Sequence, residues 1–324
     1  MTATNITRAA FLSGAAALAF AGGRRAQAQG RPLRIVLPYA PGGVVDTLGR
    51  VLAQGMTDAM GVPVVADNRP GAGGMIGSDH VAKAAPDGTT ALVMDPAIII
   101  NPSLQASVPY DVFRDLKPVS IFSSSPLVCV VSPTLPVTTL MELVEYGRAH
   151  RGELSYASAG VGTTPHLAGE MLNQRTGIEA THIPYRGIAT SFADIMSGKV
   201  HFAFSSIAGA RGLVLDGRMR GLATTGATRP PALPELPTAV EAGLPNFVID
   251  LWLGVFVPSA TPDATIATMH RAIQAALAKP ETAAAFLRAG AEVRHTSPAE
   301  AAEILRTEHA MWRELITTAK ITLG

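Results

Sequence analysis

An α/β fold with mostly parallel sheets is what the sequence predicts, and three observations predict it. Short apolar runs alternate with longer amphipathic stretches along most of the chain, the pattern of strands joined by crossover helices. Glycine and proline punctuate the joints, 31 and 24 of them in 324 residues. That length exceeds what one hydrophobic core usually organises, so about two domains are expected.

Taken in order, Arg34 to Tyr39 reads as a short buried strand, and Pro41-Gly42-Gly43 turns the chain. Asp46 opens a helix whose apolar residues Leu48, Val51, Leu52, Met56 and Ala59 recur at spacings of three and four. Val62 to Ala66, Ala91 to Met94, Val119 to Ile121 and Leu127 to Val131 are strand-like. Leu140 to Ala149 is a helix. Leu154 to Ala157 is a strand, followed by a glycine-rich turn and a helix from Pro165 to about Thr176. Further short strands fall at Thr181 to Pro184, Val200 to Phe204, Gly221 to Thr224 and Trp252 to Val257. Helices near Ala264 to Leu277 and Glu300 to Thr318 close the chain. Prolines at 230 to 237 and 258 to 262 mark loops.

The first 28 residues stand apart. They hold Arg8, Arg24 and Arg25, no acid, an apolar stretch from Phe11 to Ala21, and Ala26-Gln27-Ala28 before Gln29. That is the layout of a cleaved secretory signal, and the apolar stretch is short of the roughly 20 residues a membrane span needs. Thr7-Arg8-Ala9-Ala10-Phe11-Leu12 lacks the second arginine of a twin-arginine box, which favours the general secretory route. The working protein is expected to be soluble and outside the cytoplasm. Charge supports the division: the whole chain is +1, but without those three arginines 23 basic residues face 25 acids, a net −2. No basic excess for nucleic acid exists. The single cysteine, Cys129, excludes an internal disulfide framework, and its apolar surroundings predict a small buried residue.

Two glycine-rich loops carry the ligand reading. Pro38 to Asp46, with Tyr39, Ala40, Gly42 and Gly43, joins a strand end to a helix start. Helix N-termini present unpaired N–H groups and partial positive charge, so they receive anions, and glycine lets a ligand approach the backbone. Asp46 is expected to cap that helix. Ser158 to His166 repeats the logic with Gly160, Gly162, Thr163 and Thr164, where Thr164 is the expected N-cap and Pro165 the first helical residue. Each loop alone also reads as a plain strand-to-helix turn; two on different halves of one chain suggest an anion held from both sides. Gly71 to Gly77 is spaced G-x-G-x-x-x-G, which departs from the dinucleotide fingerprint. No nucleophile elbow, S-x-x-K set or Walker loop occurs, and His166 with Glu170, four apart on a helix, lacks a third metal ligand and reads as a polar face near a cleft. No catalytic residue, metal or cofactor is assigned.

The order of motifs resembles the Bug family, the periplasmic substrate-binding proteins of tripartite tricarboxylate transporters. Pro38-Tyr39-Ala40-Pro41-Gly42-Gly43 with Asp46, Gly49 and Arg50 is similar to its opening motif. Asn68 to Gly74, Asn101-Pro102-Ser103-Leu104, Ser158 to Glu170 and Pro184-Tyr185-Arg186-Gly187 follow in order, then Leu236-Pro237-Thr238, Glu241 to Pro245, Trp252 and Thr261-Pro262. The resemblance implies a two-lobed periplasmic binding fold of type II-like build, closing on its ligand about a hinge. It implies crossovers near Cys129 and Asp250: a discontinuous first lobe of residues 29–128 and 251–324, and a second lobe of 129–250. It implies no catalysis, a small organic carboxylate as ligand, membrane permease subunits as partners, and a monomer. The ligand contacts it implies fall on Tyr39, Ala40, Gly42 and Gly43 in one lobe and Ser158, Gly160, Gly162, Thr163 and Thr164 in the other.

Two positions depart from the family. Asp95 stands where Thr or Ser is common, and Ser205 where Asp is common. Asp95 near an anion pocket disfavours a dicarboxylate and suggests a monocarboxylate that also carries an amine or hydroxyl, unless Asp95 merely caps the turn before Pro96. Delivery of the solute to a permease is the expected role; the same fold in a periplasmic sensor for a two-component system is the alternative, and an exported enzyme a third.

Overall fold

The computed structural model describes residues 31–185 and 187–322. The segment read as an export signal and Arg186 of the Pro184-Tyr185-Arg186-Gly187 motif lie outside the described residues. Eleven strands form two sheets, one per lobe, among the described residues.

The first lobe opens with β1 (Leu33–Leu37), α1 (Val44–Met60), β2 (Val64–Asn68), α2 (Met75–Ala82), β3 (Thr90–Met94), α3 (Ala97–Leu104), α4 (Val112–Asp115) and β4 (Leu116–Ser124). The second holds β5 (Leu127–Val131), α5 (Leu140–Ala149), β6 (Ser155–Ser158), α6 (Thr164–Thr176), β7 (Thr181–Pro184), α7 (Phe192–Met196), β8 (Phe202–Ser206), α8 (Ile207–Leu215) and β9 (Arg220–Thr224). The chain then returns through β10 (Leu253–Pro258), α9 (Asp263–Leu277), α10 (Pro280–Arg288), β11 (Glu292–Val293) and α11 (Pro298–Thr318). Among the described residues no helix is long and apolar enough to cross a membrane.

The expected strands and long helices recur within a few residues of their sequence bounds. The expectation of mostly parallel sheets is corrected: both are mixed. The first has order β11-β4-β10-β3-β1-β2, and the second β7-β6-β8-β5-β9. β1 runs parallel to β2 and β3, whereas β10 is antiparallel to β3 and β4. In the second lobe β6 runs parallel to β7 and β8, and β5 is antiparallel to β8 and β9. The cause is the hinge. β10 and β5 are the strands by which the chain enters each lobe from the other, so each starts at the edge where its neighbours end.

Both faces of the first sheet are covered, which explains its nearly continuous apolar strands. Leu33, Ile35 and Leu37 point to one face, under Leu48, Leu52 and Met56 of α1 and Met269 and Ile273 of α9. Val36, Leu92 and Met94 point to the other, where α3 and α11 lie. That second core continues without a break into the other lobe through Trp252, Phe247 and Phe204 to Tyr156 and Leu167.

The first crossing lies at Ser125–Pro126, slightly before the boundary read from the sequence; Cys129 is mid-strand in β5 and fully buried, its thiol pushed up to about 12 by that burial. The second lies at Asp250–Leu251, and Pro126 and Asp250 form a bridge that ties the two crossings together. The Asp250 carboxylate accepts from the Ser124 hydroxyl (2.7 Å), the Ser125 N–H (2.7 Å) and Arg294 (3.1 Å).

A third contact joins the lobes beside the hinge. Gly290, after α10, has φ +70°, and the Ser125 hydroxyl donates to its carbonyl at 3.0 Å. A Cβ there would stand 2.2 Å from the Cβ and 2.6 Å from the amide nitrogen of Ala208, in the other lobe's α8. Gly290→Ala is therefore expected to cost about 2–4 kcal/mol, left-handed backbone strain plus overpacking. Gly212→Ala, in the same α8 with open space at its Cβ, should be neutral or stabilising by about 0.5–1 kcal/mol. Urea midpoints of the two variants against wild type check the pair; equal midpoints would remove this contact from the hinge.

Candidate functional site

Four strands aim their carboxyl ends at the space between the lobes, where α/β sheets bind ligands. β1 leads to Tyr39, β3 to Asp95, β6 to the loop 159–163 and β8 to Ser206. A cavity of about 410 Å³ lies there. The first lobe contributes Tyr39, Gly73, Asp95 and Asn101, with Ala97, Ile100, Leu104 and Gln105 from α3 and its end. Leu127 and Leu251, next to the two crossings, also line it. The second lobe contributes Ala159, Val161, Gly162, Thr163, Thr164 and Pro165, with Ile188 and Ser206.

The second-lobe loop is built to leave a helix end open. Gly160 and Gly162 have φ of +131° and +80°, a turn that a side chain would strain. The Thr163 hydroxyl donates to the Gly160 carbonyl (2.7 Å), which closes the loop one residue earlier than the sequence suggests. Thr163, not Thr164, is thus the N-cap residue, and its hydroxyl is engaged away from the helix. Pro165 has no N–H, and those of Thr164 and His166 find no acceptor among the described residues. This first turn of α6 is an uncapped positive end facing the cavity.

Beneath the loop lies a network that the sequence reading did not find. The Gly162 N–H donates to Nδ1 of His166 (3.0 Å), so the neutral ring carries its proton on Nε2, 3.9 Å from the Glu170 carboxylate. His166 stacks on His182 with ring centroids 3.9 Å apart, and Tyr156 stacks on His182. Tyr156 donates to Glu170 at 2.6 Å. Burial, with the second imidazole beside it, pushes His166 down to about 4, and burial pushes His182 down to about 4. The polar helix face expected at His166 is corrected: the residue is only 4% exposed. Ser158 is likewise fully buried, with Oγ 2.7 Å from His182 Nε2 and accepting the Gly160 N–H. Ser158 and His166 brace the loop from behind rather than line the cavity.

In the first-lobe loop Gly43 occupies the cap position expected for Asp46. Asp46 sits in the first turn, buried, and accepts from the Gly42 N–H (3.0 Å), Asn68 (2.9 Å) and Arg50 (2.9 Å). Burial alone would raise its carboxyl, but these donors outweigh it and hold it below the usual range. Asn68 also donates to the Tyr39 carbonyl (3.0 Å), so Asp46 and Asn68 fix the loop from its inner side. Ala40, Gly42 and Gly43 are exposed and stand outside the cavity lining, whereas Tyr39 is part of it.

Asp95 is in the lining. Its Oδ1 accepts from the Tyr39 hydroxyl and the Ala97 N–H, each at 3.0 Å, so it holds the turn before α3 and faces the cavity at once. Burial pushes its carboxyl up, although both donors favour the charged form. Ser205 is fully buried with its hydroxyl on the Ser206 carbonyl (3.2 Å), and the neighbouring Ser206 lines the cavity. Ile100, Ile188 and Leu251 carried no signal beyond general apolarity and Gln105 none at all; Asn101 and Leu104 lay in a motif without an assigned role.

Comparison with known proteins agrees with this build. The family described as "Tripartite tricarboxylate transporter family receptor" matches residues 48–321. The chain is 36% identical over 322 residues to a UPF0065 protein from the tcbD-tcbE intergenic region of Pseudomonas sp. strain P51, covering 98% of this chain and 96% of that one. It is 34% identical to the protein BugT of Bordetella pertussis, covering 90% of each. Among solved structures, R. palustris Rpa4515 with adipate superposes with a TM-score of 0.76 at 32% identity, covering 90% of this chain and 99% of the other. With two lobes, a cleft between them and this match across most of its length, the chain belongs to the tripartite tricarboxylate transporter receptor (TctC) family, which includes Bug proteins.

Proposed function

We propose that this chain is a periplasmic solute receptor that captures a small carboxylate between its lobes and delivers it to the permease subunits of a tripartite tricarboxylate-type membrane transporter. The observation that carries the reading is the uncapped first turn of α6: Thr163, Thr164 and Pro165 line the interlobe cavity, and the N–H groups of Thr164 and His166 have no acceptor among the described residues. A carboxylate there replaces the missing cap and meets the positive end of the helix dipole. Tyr39, Gly162, Thr163 and Thr164 are the contacts of the sequence reading that this cavity favours; Gly160, Ser158 and Asp46 shape the loops. The adipate in Rpa4515 supports a carboxylate as ligand. With the mature chain slightly acidic, bulk attraction contributes nothing to anion capture, and local donors must provide it.

Native purification, denaturation and mass spectrometry of the released small molecule test the reading. A panel of carboxylates in a thermal-shift assay is the companion. A carboxylate at 100 times its Kd should add about 2.7 kcal/mol of stability. A released molecule without a carboxyl group, together with no shift from any carboxylate, would overturn it.

A further inference from the structure

The two walls of the cleft differ in charge. The second lobe presents the uncapped turn of α6. The first lobe presents Asp95, and no Lys, Arg or His is found among the described residues that line the cavity. The Asp95 carboxyl group is held in place through Oδ1 alone, by the Tyr39 hydroxyl and the Ala97 N–H, each at 3.0 Å. No other described residue donates to its Oδ2. Much of the remaining lining is apolar: Ile100 and Leu104 from the first lobe, Val161 and Ile188 from the second.

Granted the carboxylate reading above, on which this rests, we propose that the cleft selects amino-carboxylates: one carboxylate on the first turn of α6, a protonated amine on Asp95, and an apolar body between them. A second ligand carboxylate reaching the first lobe would meet the like charge of Asp95, which disfavours dicarboxylates. A hydroxyl satisfies Oδ2 but leaves the charge uncompensated, whereas an ammonium neutralises it. Asp95 therefore sets specificity, and α6 supplies the common carboxylate affinity.

The test uses matched pairs that differ only in the amine: leucine and 4-methylpentanoate, 4-aminobutyrate and butyrate, 4-(aminomethyl)benzoate and 4-methylbenzoate, with adipate and malate as dicarboxylates. Calorimetric affinities are taken on wild type and Asp95→Asn. Asn keeps an acceptor for Tyr39 and Ala97, and a circular-dichroism melt confirms that the variant folds. At least one amine-bearing member should bind wild type about tenfold or more tighter than its partner, as close charge pairs at interfaces do. Asp95→Asn should bring that ratio near one. Where no panel member binds, a released native ligand containing both a carboxyl and a basic nitrogen supports the proposal, and one lacking the nitrogen overturns it. Binding of des-amino acids or dicarboxylates as tight as of amines overturns the Asp95 assignment while leaving the carboxylate reading intact. Retention of such binding in Asp95→Asn would mean that Asp95 is protonated and donates. Absence of a carboxyl group from every ligand overturns both.

Discussion

Between pH 6.5 and pH 4, the wild-type protein should lose about 3 kcal/mol of stability relative to His166→Asn. His166 is 4% exposed, and its pKa in the fold is about 4 against 6.5 unperturbed. A basic group depressed on folding binds protons in the unfolded chain first. Its contribution is therefore complete above pH 6.5 and falls away as pH drops toward 4. Burial dominates, and the stacked His182 adds to it. Protonation also sets an N–H on Nδ1 against the Gly162 N–H that it now accepts, so the ligand loop loses its brace as the chain loses stability. His182, also pushed down to about 4 by burial, acts in the same direction.

The raw wild-type curve will be shallower than this, because Glu308 works the other way. Burial raises it to about 7, so the folded state takes up its proton first and gains stability as pH falls from 7 to about 4.5. Comparison with His166→Asn removes that shared term, since Asn at 166 can still accept from Gly162 but does not titrate. Urea unfolding at half-unit pH steps is the measurement. Parallel curves for the two proteins would show that His166 is not buried as a neutral ring.

How much of this was legible in the sequence depends on the range of the physics involved. Strands such as Leu127–Val131 and helices such as Leu140–Ala149 are set by local periodicity and caps, and they fall at the expected residues. Ala97–Leu104 was not read as a helix: Ile98, Ile99 and Ile100 give it no polar face, and Pro102 lies inside it. Ile207–Leu215 holds Gly209 and Gly212, and tertiary packing overrides their low helix propensity. Strand direction at β5 and β10 follows from which lobe the chain has just left, and no local pattern encodes that. In the site, the glycine loops were legible because a turn into a helix needs particular residues. The His166–His182 stack was not, since a contact between residues sixteen positions apart on separate elements leaves no spacing signature. Ser205 against Ser206 illustrates the limit of resolution: on a strand, one residue decides between the core and the cavity.

The second large effect is at the hinge strand. Trp252→Ala should cost about 3–5 kcal/mol from the cavity alone, because the indole is fully buried in the core that runs between the lobes. Trp252→Phe separates packing from the polar contact. Phe retains much of the ring but removes the indole N–H, which donates to Glu308 at 2.8 Å. With Glu308 near 7 in the wild type, that donor faces a carboxylate at pH 9 and mostly a neutral acid at pH 6. Loss of a hydrogen bond to a charged group costs about 1.5–3 kcal/mol, and to a neutral one about 0.5–1.5. The penalty of Trp252→Phe should therefore be greater at pH 9 than at pH 6 by about 1 kcal/mol or more. Glu308→Gln should abolish the difference, since the paired group no longer ionises. A penalty equal at both pH values would mean that Glu308 is neutral throughout, or that Trp252 acts through volume alone. The position gives the result its functional weight: Trp252 follows Asp250, which ties the two crossings, and Leu251, which lines the cleft. A hinge strand loosened at Trp252 loosens Leu251 in the cleft lining with it, so ligand affinity should fall in Trp252→Ala even at temperatures where the variant is fully folded.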